Sequence, residues 1–281
     1  MKHYIIASLF LFAGFTSLAQ NDSMTFINTQ WETQAIAPGI TWKHYHFDKN
    51  LFHSNQNINI LDIRLKGKRA VSFVCEPKTL RTVSDFGKTS QALAAINGNF
   101  FDTKHGGSED YIKVHDSVIS TNKLWGKERA RHQKAGLVIR KGKLRIVKWD
   151  GSDDWETKLK EKDVMLNGPL LLWQGIRQPL DTGEFVYGRN PRSAIASFSK
   201  KHVVFITVDG RNENAAGMSL YELADIMKWL KVQNGINMDG GGSTTLWISN
   251  QPGNGVVNYP TDNKKWDHEG ERKVANVVIV K

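Results

Sequence analysis

Asp239 is followed by three glycines and then by the hydroxyl residues Ser243, Thr244 and Thr245, and the stretch is bounded by the apolar residues Ile236 and Leu246. Ordered glycine loses more chain entropy than any other residue and packs no side chain, so three in succession need a local reason. A surface turn is the plain reason. The chemical one is a backbone that must come close to something polar, with a carboxylate beside it. Comparable polar islands stand wherever an apolar run begins or ends. Asn97 and Asn99 flank Gly98 after the run 92–96, Asn167 follows 164–166, and Arg192 precedes 193–198. Asp209-Gly210-Arg211 follows 202–208, and Arg272 precedes the terminal run 274–280. The mixture is coherent: carboxylates for acid, base or nucleophilic work, guanidiniums for an oxyanion, and glycine amides that can approach it. Each island alone has a structural reading, since Asp-Gly often starts a turn. Their repetition at strand ends favours a site. Common catalytic signatures do not fit: Ser243 lacks the glycine spacing of a nucleophile elbow, the phosphate-loop lysine is missing, and the residues around Asp209 do not form a calcium loop.

The elements that must position these residues are mostly strands. Residues 41–47 alternate in polarity, and 58–65 and 70–75 flank Lys66-Gly67-Lys68 as a hairpin would. Further hairpins join 111–114 to 118–120, 136–140 to 144–149 and 193–198 to 202–208, each across turn-forming residues. Ser84 is placed to cap a short helix running to Ser90. The clearest helix starts at Ser219 and Glu222, which form a capping box. It carries Leu220, Leu223, Ala224, Met227 and Leu230 as an apolar stripe and stops at Asn234-Gly235. The polar, glycine-containing stretch 103–110 reads as an exposed loop long enough to rim a cleft. The expected fold class is α+β: a mixed, largely antiparallel β-sheet core with few helices, in a single domain without linker or repeat.

The chain has 281 residues and 40% hydrophobic content, ample for a core. Met1-Lys2-His3, the apolar run 4–11 and Ser17-Leu18-Ala19 read as a signal peptide over 1–19, so the protein is expected to be exported, to a periplasm or outside the cell. Gly14, Thr16 and Ser17 break that run below the ~20 residues of a membrane span, and no later segment could span a bilayer. Residues 20–60 form a lead-in with the first strands, and 61–281 the functional domain. Cys75 is the only cysteine, which excludes an intrachain disulfide; in its strand-like setting it reads as a small core residue. The net charge of +10 favours acidic or phosphorylated partners. Nucleic acid is not the expected partner, because the basic residues are scattered, no binding module is present and an exported protein rarely meets a genome.

Read in order, Asn97-Gly98-Asn99-Phe100-Phe101, Asn167-Gly168-Pro169, Asn190-Pro191-Arg192-Ser193-Ala194, Val208-Asp209-Gly210-Arg211, the capped helix, Asp239-Gly240-Gly241-Gly242-Ser243-Thr244 and Glu271-Arg272 resemble the phosphodiester glycosidase family. The resemblance covers roughly Leu61 to Lys281. Asn99 stands where many relatives carry a second glycine. The resemblance implies hydrolysis of the C1–O bond of a sugar-1-phosphodiester of the N-acetylglucosamine type, on a phosphorylated glycan, releasing sugar and a phosphomonoester. A phosphate leaving group departs with its charge already stabilised, so cations matter more here than a strong general acid.

On that resemblance, Arg192 and Arg211 are expected to clamp the phosphate, with the amides of Gly240, Gly241 and Gly242 lining it and Ser243 and Arg272 as further substrate-binding residues. Asp239 would face the anomeric carbon as nucleophile or base, with Asp209 as the supporting carboxylate. Asn97 and Asn167 would hold sugar hydroxyls, and Asn99 would shape the substrate's approach. No cofactor is required by these residues. A divalent cation on Asp209, Asp239 and backbone carbonyls stays open. Two other readings remain: a non-catalytic secreted glycan-binding protein, for which nine tryptophans supply stacking surfaces, and a metal-dependent phosphodiesterase.

Overall fold

The eight-stranded sheet at the centre of the molecule orders its strands Glu32–Ala37, Ile40–Leu51, Ser54–Arg64, His202–Val208, Arg192–Ser199, Asn234–Asn237, Leu170–Trp173 and Ile176–Arg177. The computed structural model describes residues 21–123 and 128–281, so the expected signal peptide lies outside the described residues. The sheet is built from Glu32–Ala37 (β1), Ile40–Leu51 (β2), Ser54–Arg64 (β3), Leu170–Trp173 (β11), Ile176–Arg177 (β12), Arg192–Ser199 (β13), His202–Val208 (β14) and Asn234–Asn237 (β15). Every pairing in it is antiparallel.

Its central strands are buried on both faces, which explains their near-continuous apolar sequence. Ile195 of β13 and Val203 and Phe205 of β14 point into one core, while Ala194, Ala196, Val204 and Ile206 point into the other. The second core is closed by the helix Leu220–Trp229. Its Leu220, Leu223, Ile226 and Met227 are fully buried, each worth roughly 1.5–3 kcal/mol relative to exposure. The capping box forms as the sequence predicts: Ser219 accepts from the Glu222 N–H, and the Glu222 carboxylate accepts from the Ser219 N–H at 2.8 Å.

The first core is closed by two smaller sheets. One has the order β16-β5-β17-β4 and comprises Val71–Cys75 (β4), Ala94–Asn97 (β5), Leu246–Ile248 (β16) and Asn276–Val280 (β17). The other has the order β7-β6-β10-β8-β9 and comprises Ile112–Val114 (β6), Ser117–Ser120 (β7), Ala135–Arg140 (β8), Lys143–Lys148 (β9) and Asp163–Leu166 (β10). The fold is α+β, largely antiparallel, with few helices in a single domain, as expected.

Three local expectations change, the first being the helix stop: the helix ends at Trp229, Lys231 takes the left-handed φ of +61°, and Asn234-Gly235 open β15. Lys66-Gly67-Lys68 does not close a hairpin: β3 pairs with β2 and β14, whereas β4 pairs with β17. The turn carries the chain from one sheet to another, a choice made by long-range pairing that the turn residues do not encode. The short helix spans Val83–Thr89 and its cap is Thr82, whose hydroxyl accepts from the Asp85 N–H. Ser84 instead gives its hydroxyl to Glu271. Cys75 is half-buried, and burial beside Glu76 and Asp163 pushes its thiol up to about 12, so it is held in the unreactive thiol form. Among the described residues no helix is long and apolar enough to cross a membrane.

Candidate active site

Antiparallel register brings the polar islands to one end of the sheets. Arg192 at the start of β13 lies opposite Val208 at the end of β14, and Ala194 lies opposite Asn237 at the end of β15. The chain beyond β14 therefore delivers Asp209 and Arg211 to the place where the chain beyond β15 delivers Asp239. In the four-stranded sheet, Asn97 ends β5 opposite Val277 of β17. Two hydrogen bonds join these ends across the sheets: the Asn97 amide donates to the Asp239 carbonyl at 2.7 Å, and the Asp239 N–H donates to the Gly98 carbonyl at 3.1 Å.

The result is a cavity of about 290 Å³. Asp239 and Gly240, Gly241 and Gly242 form one wall; Arg192, Arg211 and Arg272 supply cations; Phe100, Glu184, Phe185 and Asn190 complete it. The glycine run now has its local reason. Gly241 has φ +60°, and a Cβ there would stand 3.1 Å from both terminal nitrogens of Arg211. A Cβ on Gly242 would overlap the Asp262 carboxylate and the Arg272 guanidinium. The bare backbone lets two guanidiniums close over the loop, so the glycines serve close approach rather than flexibility.

The three arginines are held differently. Arg272 is paired with Asp262, its Nε and Nη2 donating at 2.8 and 2.7 Å. Arg192 is buried and donates to the backbone carbonyls of Met218, Phe185 and Gly188 at 2.8, 2.9 and 2.8 Å. Arg211 sits in the left-handed region at φ +58° and donates to Asn190 Oδ1 at 3.2 and 2.9 Å. Among the described residues no carboxylate lies within the 4.0 Å ion-pair distance of Arg192 or Arg211. Burial, then repulsion from Arg211, lowers Arg192 to about 10. Two guanidiniums close enough to repel each other, facing a cavity and without a carboxylate in ion-pair contact, make an anion site.

Asp239 is the central carboxyl. Burial pushes it up to about 6, while the Ser243 hydroxyl, Arg272 and the Gly240 N–H favour its ionised form and Asp110 opposes it. The Gly240 N–H donates to its Oδ1 at 2.9 Å. Ser243 is buried behind the cavity wall rather than in it. A carboxyl titrating near 6 is suited to acid, base or nucleophilic work close to neutrality.

Other expected site residues lie deeper. Asp209 is fully buried and outside the cavity wall, accepting from Asn57 Nδ2 at 2.7 Å, Asn258 Nδ2 at 2.9 Å and the Tyr259 N–H at 2.9 Å. Burial raises it, and these three donors oppose that rise. Asn97 is fully buried, its Oδ1 accepting from Ser193 Oγ at 2.6 Å and the Thr245 N–H at 3.2 Å. Asn99 exchanges bonds with Asn276, accepting from its Nδ2 at 2.7 Å, and donates to the Leu166 carbonyl at 3.2 Å. Asn167 is fully buried, with Nδ2 against Met238 Sδ at 3.2 Å. The three asparagines fasten strand ends behind the cavity instead of lining it. Among the described residues, no three His, Cys, Asp or Glu side chains converge as a metal ion would need.

Reading the sequence did not single out Phe185, Glu184, Asn190 as wall residues, or the pair behind Phe100. There His132 Nδ1 lies 2.8 and 2.9 Å from the two Asp110 oxygens, and its ring packs on Phe100 at 4.7 Å. Asp110 carries no turn or spacing signal. Asn190 does, standing in the Asn-Pro-Arg island.

The phosphodiester glycosidase family is matched over residues 90–281. The N-acetylglucosamine-1-phosphodiester alpha-N-acetylglucosaminidase of Bos taurus is 33% identical over 219 residues, 73% of this chain and 40% of its own length. The Homo sapiens protein of the same name is 33% identical over 100 residues, 34% of this chain and 18% of its own. Thus the chain spans less than half the length of these relatives. Among solved structures, the catalytic domain of the zebrafish enzyme of that name, auto-inhibited by its pro-peptide, matches with a TM-score of 0.65 at 22% identity, covering 94% of this chain and 92% of that one. A hypothetical protein from Synechocystis also matches, with a TM-score of 0.65 at 15% identity, covering 90% of this chain and 64% of that one. The matched stretch contains every polar island from Asn97 to Arg272, and on it this chain belongs to the phosphodiester glycosidase family.

Proposed function

We propose that the protein is an exported hydrolase that cleaves the glycosidic C1–O bond of a sugar-1-phosphodiester, of the N-acetylglucosamine-1-phosphodiester type, releasing the sugar and a phosphomonoester. The observation that carries the reading is the pair Arg192 and Arg211, neither in ion-pair contact with a carboxylate and both facing the same cavity as Asp239. A phosphodiester supplies the missing negative charge, and its departure as a phosphomonoester adds charge where these cations already stand. Arg272 contributes less field, because Asp262 neutralises it. The relatives' names support the sugar class, and the leader-like segment 1–19 supports export.

Asp239 acts in its ionised form at the anomeric carbon, as nucleophile or as the base that takes a proton from water. In either route the C1–O bond breaks, the leaving oxygen stays with phosphorus, and water supplies the new sugar hydroxyl. Asp209 and the asparagines act indirectly, by fixing the strand ends from which Asp239 and the arginines project. The aromatic rings of Phe100 and Phe185 give the sugar an apolar wall.

Hydrolysis of N-acetylglucosamine-1-phosphodiesters in isotopically labelled water tests this, with and without chelator. Label in the sugar hydroxyl is the expected result. Label in the phosphate would overturn the reading in favour of phosphorus–oxygen cleavage, and binding without turnover would make the protein a glycan-binding relative.

A further inference from the structure

At the end of the sheets remote from the cleft, three turns converge. The chain from Arg64 to Val71 passes between sheets, Lys141 and Gly142 join β8 to β9, and Lys200 and Lys201 join β13 to β14. Backbone bonds hold them together: the Leu65 N–H donates to the Lys201 carbonyl at 2.8 Å, and the Val71 N–H to the Gly142 carbonyl at 2.9 Å. Between them lies a groove of about 530 Å³ whose wall carries Arg64, Lys66, Arg69, Lys141, Lys143 and Lys201. Asp62 beside it is engaged with His202 Nε2 at 2.9 Å and lies 3.8 Å from Arg64 Nε, and Lys281, paired with Ala70 through backbone bonds of 3.1 and 2.9 Å, stands on the far side of the 64–71 turn. Among the described residues none of the four lysines has a carboxylate within 4.0 Å. The turns themselves require glycine at Gly67 and Gly142, where φ is +62° and +69°, but nothing in turn geometry requires lysine around them. Six cations about one groove repel each other, and an anionic ligand relieves that repulsion.

We propose that this groove binds a phosphate-bearing glycan chain, a second and non-catalytic contact for the substrate class. The choice of a glycan rests on the proposed function; the choice of a polyanion rests on the groove alone. A linear chain with spaced charges fits a groove between turns. Base stacking has no aromatic side chain to use there except the His202 ring, and Leu65 in the wall is buried. The exposed large apolar side chains, Met24, Ile27, Val118, Ile176 and Tyr187, all lie outside the groove wall, so the apolar anchors of a membrane-binding face are missing from it. β14 runs from His202 beside the groove to Val208 beside Asp209, which separates the two ends by about 20 Å. A polymer held at the groove keeps its phosphodiesters at high local concentration near the cleft.

The test titrates the full-length protein with fluorescent dextran phosphate across a salt series, with unmodified dextran as neutral control. The variants are the triple substitutions Lys141→Glu/Lys143→Glu/Lys201→Glu and Lys141→Gln/Lys143→Gln/Lys201→Gln. Dextran sulfate, phosphatidylglycerol vesicles and duplex DNA are run in parallel, and turnover of a small N-acetylglucosamine-1-phosphodiester is measured on each preparation. Expected are binding of dextran phosphate but not dextran, at least a tenfold weaker Kd in both variants, and a salt slope reduced by about 2. Turnover of the small substrate should be the same in all three proteins, which also shows that the variants are folded. Equal binding by wild type and variants, equal binding of phosphorylated and plain dextran, or tighter binding of vesicles, DNA or dextran sulfate would overturn the proposal. Loss of anion discrimination with intact turnover sinks this inference alone. Absent turnover in wild type with intact anion discrimination sinks the catalytic reading alone.

Discussion

The side-chain amide of Asn97 donates to the backbone carbonyl of Asp239 at 2.7 Å, across 142 residues of chain. That bond ties the end of a strand in the four-stranded sheet to the carboxyl-bearing loop of the eight-stranded sheet. Asn97 also accepts from Ser193 and from the Thr245 N–H. Asn97→Ala therefore leaves buried polar groups unpaired and releases the loop. It should cost on the order of 2–4 kcal/mol in denaturant unfolding and lower kcat more than it raises KM for a sugar-1-phosphodiester. Unchanged kcat in the folded variant would show that the bond does not position Asp239.

Asp239 gives a stability signature with a definite sign. Its folded value, about 6, lies above the ordinary 3.8. Between those values the native state keeps a proton that the unfolded chain has released, so stability falls as pH rises through this window and the cost is complete above about 6. Asp239→Asn removes the cost. It should abolish turnover yet unfold at a higher temperature than wild type at pH 7, by a free energy on the order of 3 kcal/mol, and the gap should narrow as pH falls from about 6 and be nearly closed below about 4. A variant less stable than wild type at pH 7 would contradict the burial argument.

Turnover that needs ionised Asp239 should rise with pH through about 6. The Arg272 charge favours the ionised form, so Arg272→Gln should move that limb of the kcat/KM profile to higher pH. An unmoved limb would assign it to another group.

Arg192 and Arg211 should separate by readout. Arg211 is exposed and, among the described residues, its side chain bonds only to Asn190, so Arg211→Ala should raise KM more than tenfold with little change in Tm. Arg192 satisfies three backbone carbonyls from a buried position, so Arg192→Met should lower Tm clearly as well as weaken substrate binding. Steady-state kinetics and thermal unfolding on the two variants decide the matter.

Local chemistry was readable from the sequence. Ser219 and Glu222 are three residues apart and cap the same helix turn, strand alternation in β13 and β14 follows from a period of two, and the terminal run becomes the fully buried β17. Asp239 and its glycines stood out because ordered glycine is costly wherever it occurs. What the residues could not show locally was which partners they meet. Asn97, Asn99 and Asn167 have the composition of turn or sugar-binding residues, yet their amides fasten strand ends. Asp209 carries the same Asp-Gly signal as Asp239, yet Asn57, Asn258 and Tyr259 enclose it. Lys66-Gly67-Lys68 has hairpin chemistry, yet β3 and β4 find partners in different sheets.

The sequence by itself determined the strand-rich class, the capped helix, the polar islands at strand ends and the need for close backbone approach at Gly240 to Gly242. The tertiary structure alone decided that Arg211 and Arg272 are what approach those glycines, that Asp239 faces the cavity while Asp209 does not, and that lysines from three separate turns share one groove. The physical reason is the same in each case: propensity, capping and periodicity act over a few residues, whereas burial, charge pairing and the direction of a side chain depend on segments brought together from across the chain.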